Sequence, residues 1–450
     1  MRPAAFFAAA IGVAVLAFVI AVLIGNDYVF FAGYTVVQFI VLASAWNILG
    51  GYCGYVNFGT AGFFALGAYA SVFFHKAYPL PIPALLVIAG GVSGLVGLGT
   101  GYLTLRLRGA FFSIATLALA VVLQTFVVNW DYVGGSRGAY VIRPDSVDVF
   151  GVQISYIRYL CLIMLLLAAV TVAIARTIEL AKLGYGFAAI RDDELAAEAS
   201  GVPTLKLKLI ATTLSGALMG MAGAPFPYYT GYVEPASTFG LQYAVNSIAM
   251  PLIGGTAVWF GPVIGALLLG TLTQIATVTI SSAVNLLLVG ALLVGFVIVA
   301  PNGLVGLIQQ FLRIASAART DARSIGLITL AAFSFIAGVL EVVFSLAALT
   351  ATDQPGFAIA TATGSFVLAG LWIVSAYGLM TVQRWSPFMA TAAFALSIPI
   401  AALHIWLDRT SSNVAQWSGN IAIAIVAILF LNRCNVQRLY QSLPGTAAPA

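Results

Sequence analysis

The sequence predicts an all-α polytopic membrane protein, with about ten transmembrane helices in an N-terminal core and four more in a C-terminal block. Two observations carry that prediction. Of 450 residues, 62% are hydrophobic and only 7% charged, where a soluble domain carries roughly 25% charge. Apolar runs of about 20 residues, each long enough to cross a hydrocarbon core of about 30 Å, recur along the whole length. A membrane barrel would instead show alternating segments of roughly 10 residues. The net charge of +5 does not point to nucleic acid, because the basic residues are spread among the loops. Lipid is the surrounding medium.

Taken in order, the first run, 4–25, follows Arg2. It is too long for the apolar stretch of a signal peptide and has no small-x-small cleavage site before Asp27, so it reads as a membrane helix. Further runs fall at 30–49, 58–74, 83–105, 110–129 and 156–175, then 209–229, 241–258, 262–280 and 283–300. The run 241–258 holds Pro251, Gly254 and Gly255 and reads as broken or re-entrant. Irregular backbone at membrane depth is tolerated only where protein or a water-filled cavity surrounds it. A polar linker, 313–324, closes the core domain 1–312. Runs 325–349, 357–382, 388–407 and 417–431 make up a second membrane block, 325–438, and the small, polar tail 439–450 is expected to be disordered.

The positive-inside rule tests this model. With the N-terminus cytoplasmic, fourteen alternating crossings put fourteen of the 19 basic residues on the cytoplasmic side and five outside. Losing one helix would invert everything after it and spoil the bias. The largest outside loop is then 130–155.

One stretch breaks the apolar pattern. Arg176 to Lys208 holds ten charged residues, five of each sign, whereas from Leu209 to Leu312 only Glu234 is charged. Such an island must sit in water, and the count makes it cytoplasmic. From Phe187 to Ser200 it lacks Pro and Gly and is rich in helix formers. Asp192, Asp193 and Glu194 fall where a helix dipole favours carboxylates, and Gly201 with Pro203 stops the helix. The expectation is one short helix, from about Ala188 to Ser200. Ala188, Ala189, Leu195, Ala196 and Ala199 would form its membrane-side apolar face, and the charged face would meet a soluble partner. A plain solvated linker is the competing reading.

Gly50 to Gly67 contains six glycines, with Asn57 and Thr60 adding hydrogen-bonding groups. Small residues allow close helix approach or an unwound segment. Tight packing and a pathway-lining break both fit, and the pathway candidates are Asn57, Phe58, Gly59, Thr60, Gly254 and Gly255. The three cysteines show no metal or disulfide spacing and read as small buried hydrophobes. Glu341 is the one carboxylate well inside a predicted membrane helix, and coupling to a proton or ligand and pairing with a polar group of its own block are equal readings of it. His404 and Asp408, one helical turn apart, read as an interfacial pair. No catalytic constellation, metal site or cofactor motif is visible, and G-x-x-x-x-G-K-[ST] is absent, so any ATP must be hydrolysed by partners.

The run A-I-R-D-D-E-L-A-A-E-A-S-G-V (189–202), followed by K-L-K-L-I-A-T-T-L-S-G-A-L-M-G-M-A-G-A, resembles the coupling-helix region of bacterial ABC importer permeases. It is most similar to the M-type branched-chain amino acid permeases. G-Y-C-G-Y-V-N-F-G-T-A-G-F-F-A-L-G-A-Y (51–69), L-R-L-R-G-A-F-F-S-I-A-T-L-A (105–118) and I-G-G-T-A-V-W-F-G-P-V-I-G-A (253–266) are similar to further hallmarks of that family. The resemblance covers about residues 30–312. It implies a permease subunit of the bacterial inner membrane that pairs with a second, homologous permease. Two cytoplasmic ATPases and a periplasmic solute-binding protein would complete the importer. Glu198 and Gly201 match the coupling motif; Arg191, Asp192 and Glu194 belong to its preceding part. Thr60 stands where the family often has His, and Thr256-Ala257-Val258 where it has more glycine. Urea or another small amide is the rival cargo, and a stand-alone ion-coupled transporter the rival class. The last four helices have no counterpart in the resemblance.

Overall fold

The computed structural model describes residues 3–279 except 79, 105, 106, 108, 150, 151 and 257. Beyond them it describes 290, 303–306 and parts of 330–431, chiefly within 367–379 and 385–407. The linker 313–324, the run 283–300 apart from residue 290, the tail, Cys434, Glu341, Asp408 and the side chain of His404 lie outside the described residues.

The chain is an all-α polytopic membrane protein in its main architecture. Six helical spans among the described residues are long and apolar enough to cross a membrane: Pro3–Ile24, Asp27–Tyr52, Ile82–Thr104, Ala110–Val128, Tyr156–Leu180 and Thr204–Thr230. We number the helices α1 (Pro3–Ile24), α2 (Asp27–Asn47), α3 (Thr60–Ala77), α4 (Ile82–Thr104), α5 (Ala110–Val128) and α6 (Tyr156–Leu180). They continue as α7 (Lys182–Asp192), α8 (Glu194–Ala199), α9 (Thr204–Gly223), α10 (Phe226–Thr230), α11 (Pro235–Thr238), α12 (Leu241–Gly254) and α13 (Gly261–Thr279).

Helix α2 is the axis of the first compact unit, which comprises Met1–Gln274 and Ala300–Val305. It starts at Asn26, whose side chain accepts from the Tyr28 amide at 2.9 Å. Every residue from Val36 to Asn47 is buried, so the helix is surrounded on all sides. Around it, α4 lies along α9, and α3 packs on both. These three meet through glycines. A Cβ at Gly67 would stand 2.0 Å from the Gly220 carbonyl, and one at Gly223 2.0 Å from the Phe64 carbonyl. The backbones touch, as expected where packing rather than hydrophobicity drives association in lipid. By contrast α1 rests mainly on α6 and is outward-facing along almost its whole length.

Several expectations are corrected in detail. Helix α6 runs on to Leu180, so Arg176 and Glu179 end a helix rather than start a loop. The run 209–229 is two helices, broken at Ala224–Pro225. The run 241–258, read as broken or re-entrant, agrees with that reading: α12 has 14 residues with Pro251 inside, about 21 Å of rise and short of a full crossing. The loop 130–155 carries strand structure. The pair β2 (Ser146–Val149) and β3 (Val152–Ser155) forms a hairpin, and β1 (Ala139–Tyr140) pairs with β4 (Tyr232–Val233). The wholly helical class therefore gains two small sheets at one end of the bundle.

The second compact unit comprises Ile275–Val299 and Gly306–Ala450. Its helix Ser386–Leu407 contributes Ala390, Ala393 and Phe394 to a buried cluster with Leu368, Trp372 and Leu379. The Trp372 and Phe394 rings meet edge to face at 4.4 Å.

Candidate functional site

The charged island does not form one helix. Asp193 takes an extended conformation, φ −159° and ψ 109°, and divides it into α7 and α8. The break is stabilised locally: the Asp193 carboxylate accepts from the amides of Leu195 at 2.9 Å and Ala196 at 3.0 Å, an N-cap that satisfies two otherwise orphaned donors. The predicted stop at Gly201 is present. Gly201 has φ +85°, its amide donates to the Glu198 carbonyl and the Val202 amide to the Ala197 carbonyl, both at 3.0 Å. That is a Schellman close, which favours glycine.

The expected apolar face is also corrected. Phe187, Ile190 and Ala197 are the buried residues. Leu195 is 61% exposed and Tyr185 73%, and Ala196, Glu198 and Ala199 face outward with them. The break at Asp193 rotates α8 relative to α7, which a single helical register could not anticipate. The outer surface of the island is thus mixed, with apolar and acidic groups together.

The island packs where α2 unwinds. After Asn47 the helix widens into a π-turn, Ile48–Tyr52, and residues 53–59 are non-helical until Thr60 opens α3. Gly54 has φ +80°, and a Cβ there would press on Arg191 at 2.9 Å. Besides the bonds that Trp46 and Ser113 donate to the Asn57 and Val56 carbonyls, three groups of contacts made by charged side chains hold this region. Arg191 Nη1 reaches the Gly51 carbonyl at 3.4 Å. Glu179 Oε2 accepts from Tyr52 Oη at 3.3 Å and from the Trp259 amide at 2.6 Å, which joins α2, α6 and the turn before α13. Lys208 Nζ donates to Glu194 Oε1 at 2.6 Å and to Tyr55 Oη at 3.2 Å, while Tyr55 Oη donates to Glu194 Oε2. The Lys208 and Glu194 side chains are only 4% and 14% exposed. An ion pair this sheltered needs its extra hydrogen bond to offset desolvation. Beside the cluster burial pushes the Cys53 thiol up to about 12; Lys208 pulls the other way and Glu194 adds to the rise. A cleft of about 460 Å³ opens here, with Tyr55, Arg191 and Glu194 on its wall.

The structure thus separates the five coupling candidates. Asp192, Glu198 and Gly201 face outward, while Arg191 and Glu194 also reach inward to the broken segment. Of the pathway candidates, Asn57 is buried and its Oδ1 accepts from the Gly59 amide at 2.7 Å; the Phe58 amide donates to Thr116 of α5. Thr60 is buried with no hydrogen-bond partner for its hydroxyl among the described residues. Gly254 and Gly255 form a second cluster, where a Cβ on Gly254 would strike the Gly261 carbonyl at 1.8 Å. The two clusters approach each other: a Cβ on Gly51 would lie 2.8 Å from the Thr256 carbonyl. Sequence reasoning missed Tyr52, Tyr55, Trp259 and the inward role of Glu179 and Lys208. Lys208 could have been found from its helical spacing, since it shares a buried face with Thr212 and Ser215. Cys53 and Cys161 are free and buried, as expected.

Comparison with known proteins agrees with the motifs. The family model for the branched-chain amino acid transport system permease component matches residues 28–297. The high-affinity branched-chain amino acid transport system permease protein LivM of Salmonella typhimurium is 27% identical over 300 residues, 62% of this chain and 70% of its own length. The LivM of Escherichia coli is 27% identical over 304 residues, with the same shares. The ribose import permease protein RbsC of Haemophilus influenzae is 26% identical over 233 residues, 50% of this chain and 68% of its own. No solved structure matches the chain.

Proposed function

The chain belongs to the branched-chain amino acid transport system permease family, and from that premise we propose that it forms half the translocation pathway of an ATP-driven importer for branched-chain or similar amino acids. A second, homologous permease would supply the other half. Two cytoplasmic ATPases would dock on α7–α8, and a periplasmic solute-binding protein would deliver cargo at the opposite end of the bundle. The single observation that carries this reading is the island itself. Two short helices stand at the end of an apolar bundle, with Leu195 and Glu198 outward, Phe187, Ile190 and Ala197 buried, and Ile190 and Arg191 beside the broken segment. A rigid knob of that kind can take a push from a soluble partner and pass it to α2 and α3. ATP is used by the partners, and transport is by alternating access.

The test is uptake into proteoliposomes holding the chain with a partner permease, ATPases and a binding protein. Leucine uptake is expected to need ATP and every subunit. Uptake driven by an ion gradient without any ATPase sinks the proposal. The substrate is resolved by competition: excess isoleucine or valine is expected to block leucine uptake, and excess urea is not. Ribose is included because the ribose permease aligns over half the chain; block by ribose would replace the amino-acid assignment with a sugar. Glu198→Lys is expected to leave membrane insertion intact and ATP hydrolysis running while uptake is lost. Normal uptake by that variant removes Glu198 from the contact.

A further inference from the structure

We propose that Tyr55, Glu194 and Lys208 form a latch that transmits movement of α7–α8 to the unwound segment 53–59. The inference rests on the importer reading and adds the internal step it leaves open: how a push on the island reaches the pathway.

The three residues come from three separately anchored elements. Glu194 opens α8, Lys208 lies in the second turn of α9, and Tyr55 sits in the break between α2 and α3. Lys208 bonds both Glu194 and Tyr55, and Tyr55 bonds the second oxygen of the same carboxylate. The Lys208 ammonium also lies 4.9 Å from the centre of the Tyr55 ring. Each group therefore holds the other two, and α8 cannot shift without drawing Tyr55 or breaking these bonds. Sheltered polar contacts suit a switch better than apolar ones, because they have discrete bonded and unbonded states rather than a continuum of packings. The cleft of about 460 Å³ beside Tyr55 and Glu194 gives room for the movement. Segment 53–59 is non-helical; its far half is tied down, Trp46 Nε1 donating to the Asn57 carbonyl at 2.8 Å and Ser113 Oγ to the Val56 carbonyl at 2.9 Å, so the movement falls on Cys53 to Tyr55. These are positioning residues. None of them needs to touch cargo or nucleotide.

The latch makes two testable demands. In the reconstituted importer, Lys208→Met and Glu194→Gln are each expected to keep ATP hydrolysis while leucine carried per ATP falls roughly tenfold, the size of an ordinary coupling between sites. The charge-swapped pair Glu194→Lys with Lys208→Glu is expected to recover most of that ratio. A purely structural role predicts a lower melting temperature with an unchanged ratio, and that result overturns the latch. Equal loss of hydrolysis and uptake, with no recovery in the swapped pair, overturns it too. The second demand needs neither cargo nor ATPases. In the chain alone, with Cys161 and Cys434 replaced by alanine, Lys208→Met is expected to speed maleimide modification of the buried Cys53 about tenfold, by letting the segment open more often. Unchanged Cys53 reactivity overturns the latch even if the wild-type assembly carries no leucine. Failure of that wild-type uptake, with Cys53 released as expected, counts against the importer reading alone.

Discussion

At the residue scale, half-buried carboxylates near the end of the bundle carry the organisation. Glu179 accepts from a backbone amide and a phenol at once. Its removal strands those donors, and because the bonds are only part-buried the cost falls toward the low end of about 1–3 kcal/mol. Glu179→Ala is therefore expected to lower the melting temperature of the purified chain, with Glu179→Gln closer to wild type because an acceptor remains. Cys53 gives a pH prediction. Its thiol is raised from an ordinary 9 to about 12, first by burial. The folded state holds this proton while the unfolded state loses it, so the stabilising contribution is full below about pH 9 and fades as pH rises toward 12. Between pH 7 and pH 9 its modification by maleimide is expected to stay slow; a rate climbing with the normal thiol titration would contradict the burial. The burial of Cys53 was legible beforehand; the pairing of the charged groups was not. Sequence shows that Glu179, Glu194 and Lys208 are charged, but their partners come from segments 80 or more residues away, apart from the Glu194–Lys208 pair itself.

At the element scale, the sequence was most readable where apolar length decides the outcome. The boundaries of α1, α4 and α5 fall within a few residues of the apolar runs that predict them. It was least readable in the island, where helix formers continue through Asp193 and the chain nonetheless breaks. The signal was a choice between two caps. Asp193 can extend α7 or cap α8, and capping wins because its carboxylate satisfies two amides. Asp193→Ala is expected to remove about 1 kcal/mol from α8 and to speed hydrogen exchange at the Leu195 and Ala196 amides while α9 stays protected. Gly201 showed itself early, because a left-handed residue after a helix is a local requirement. Gly201→Ala is expected to cost about 1 kcal/mol, read as the same loss of protection in α8.

At the scale of the whole molecule, the chain joins a family core to a second unit. The family match ends at residue 297, and the linker region follows. Deleting residues 325–450 is expected to spare ATP-dependent uptake. Complete loss of uptake in a deletion that still inserts stably would make the second unit part of the pump. Fold class and family were legible because they depend on composition and on short contiguous motifs. The break at 53–59 was one of two even readings, since glycine serves both close packing and unwinding. Here it does each in turn: Gly54 permits the break, and Gly67 permits the contact with Gly220.

The glycine contacts of α3, α4 and α9 have a mechanical consequence. Backbones that touch leave no side-chain layer to deform, so one helix cannot slide along its neighbour without atoms colliding. The three helices then share a single set of rigid-body coordinates. Whatever displacement the pathway undergoes must be absorbed at the margins of that plate: at 53–59, at Asp193, at Ala224–Pro225 and at Gly255. A disulfide between cysteines placed at Gly94 and Ala217, inside the plate, would leave uptake intact. One that bridges segment 53–59 to α7 would arrest it.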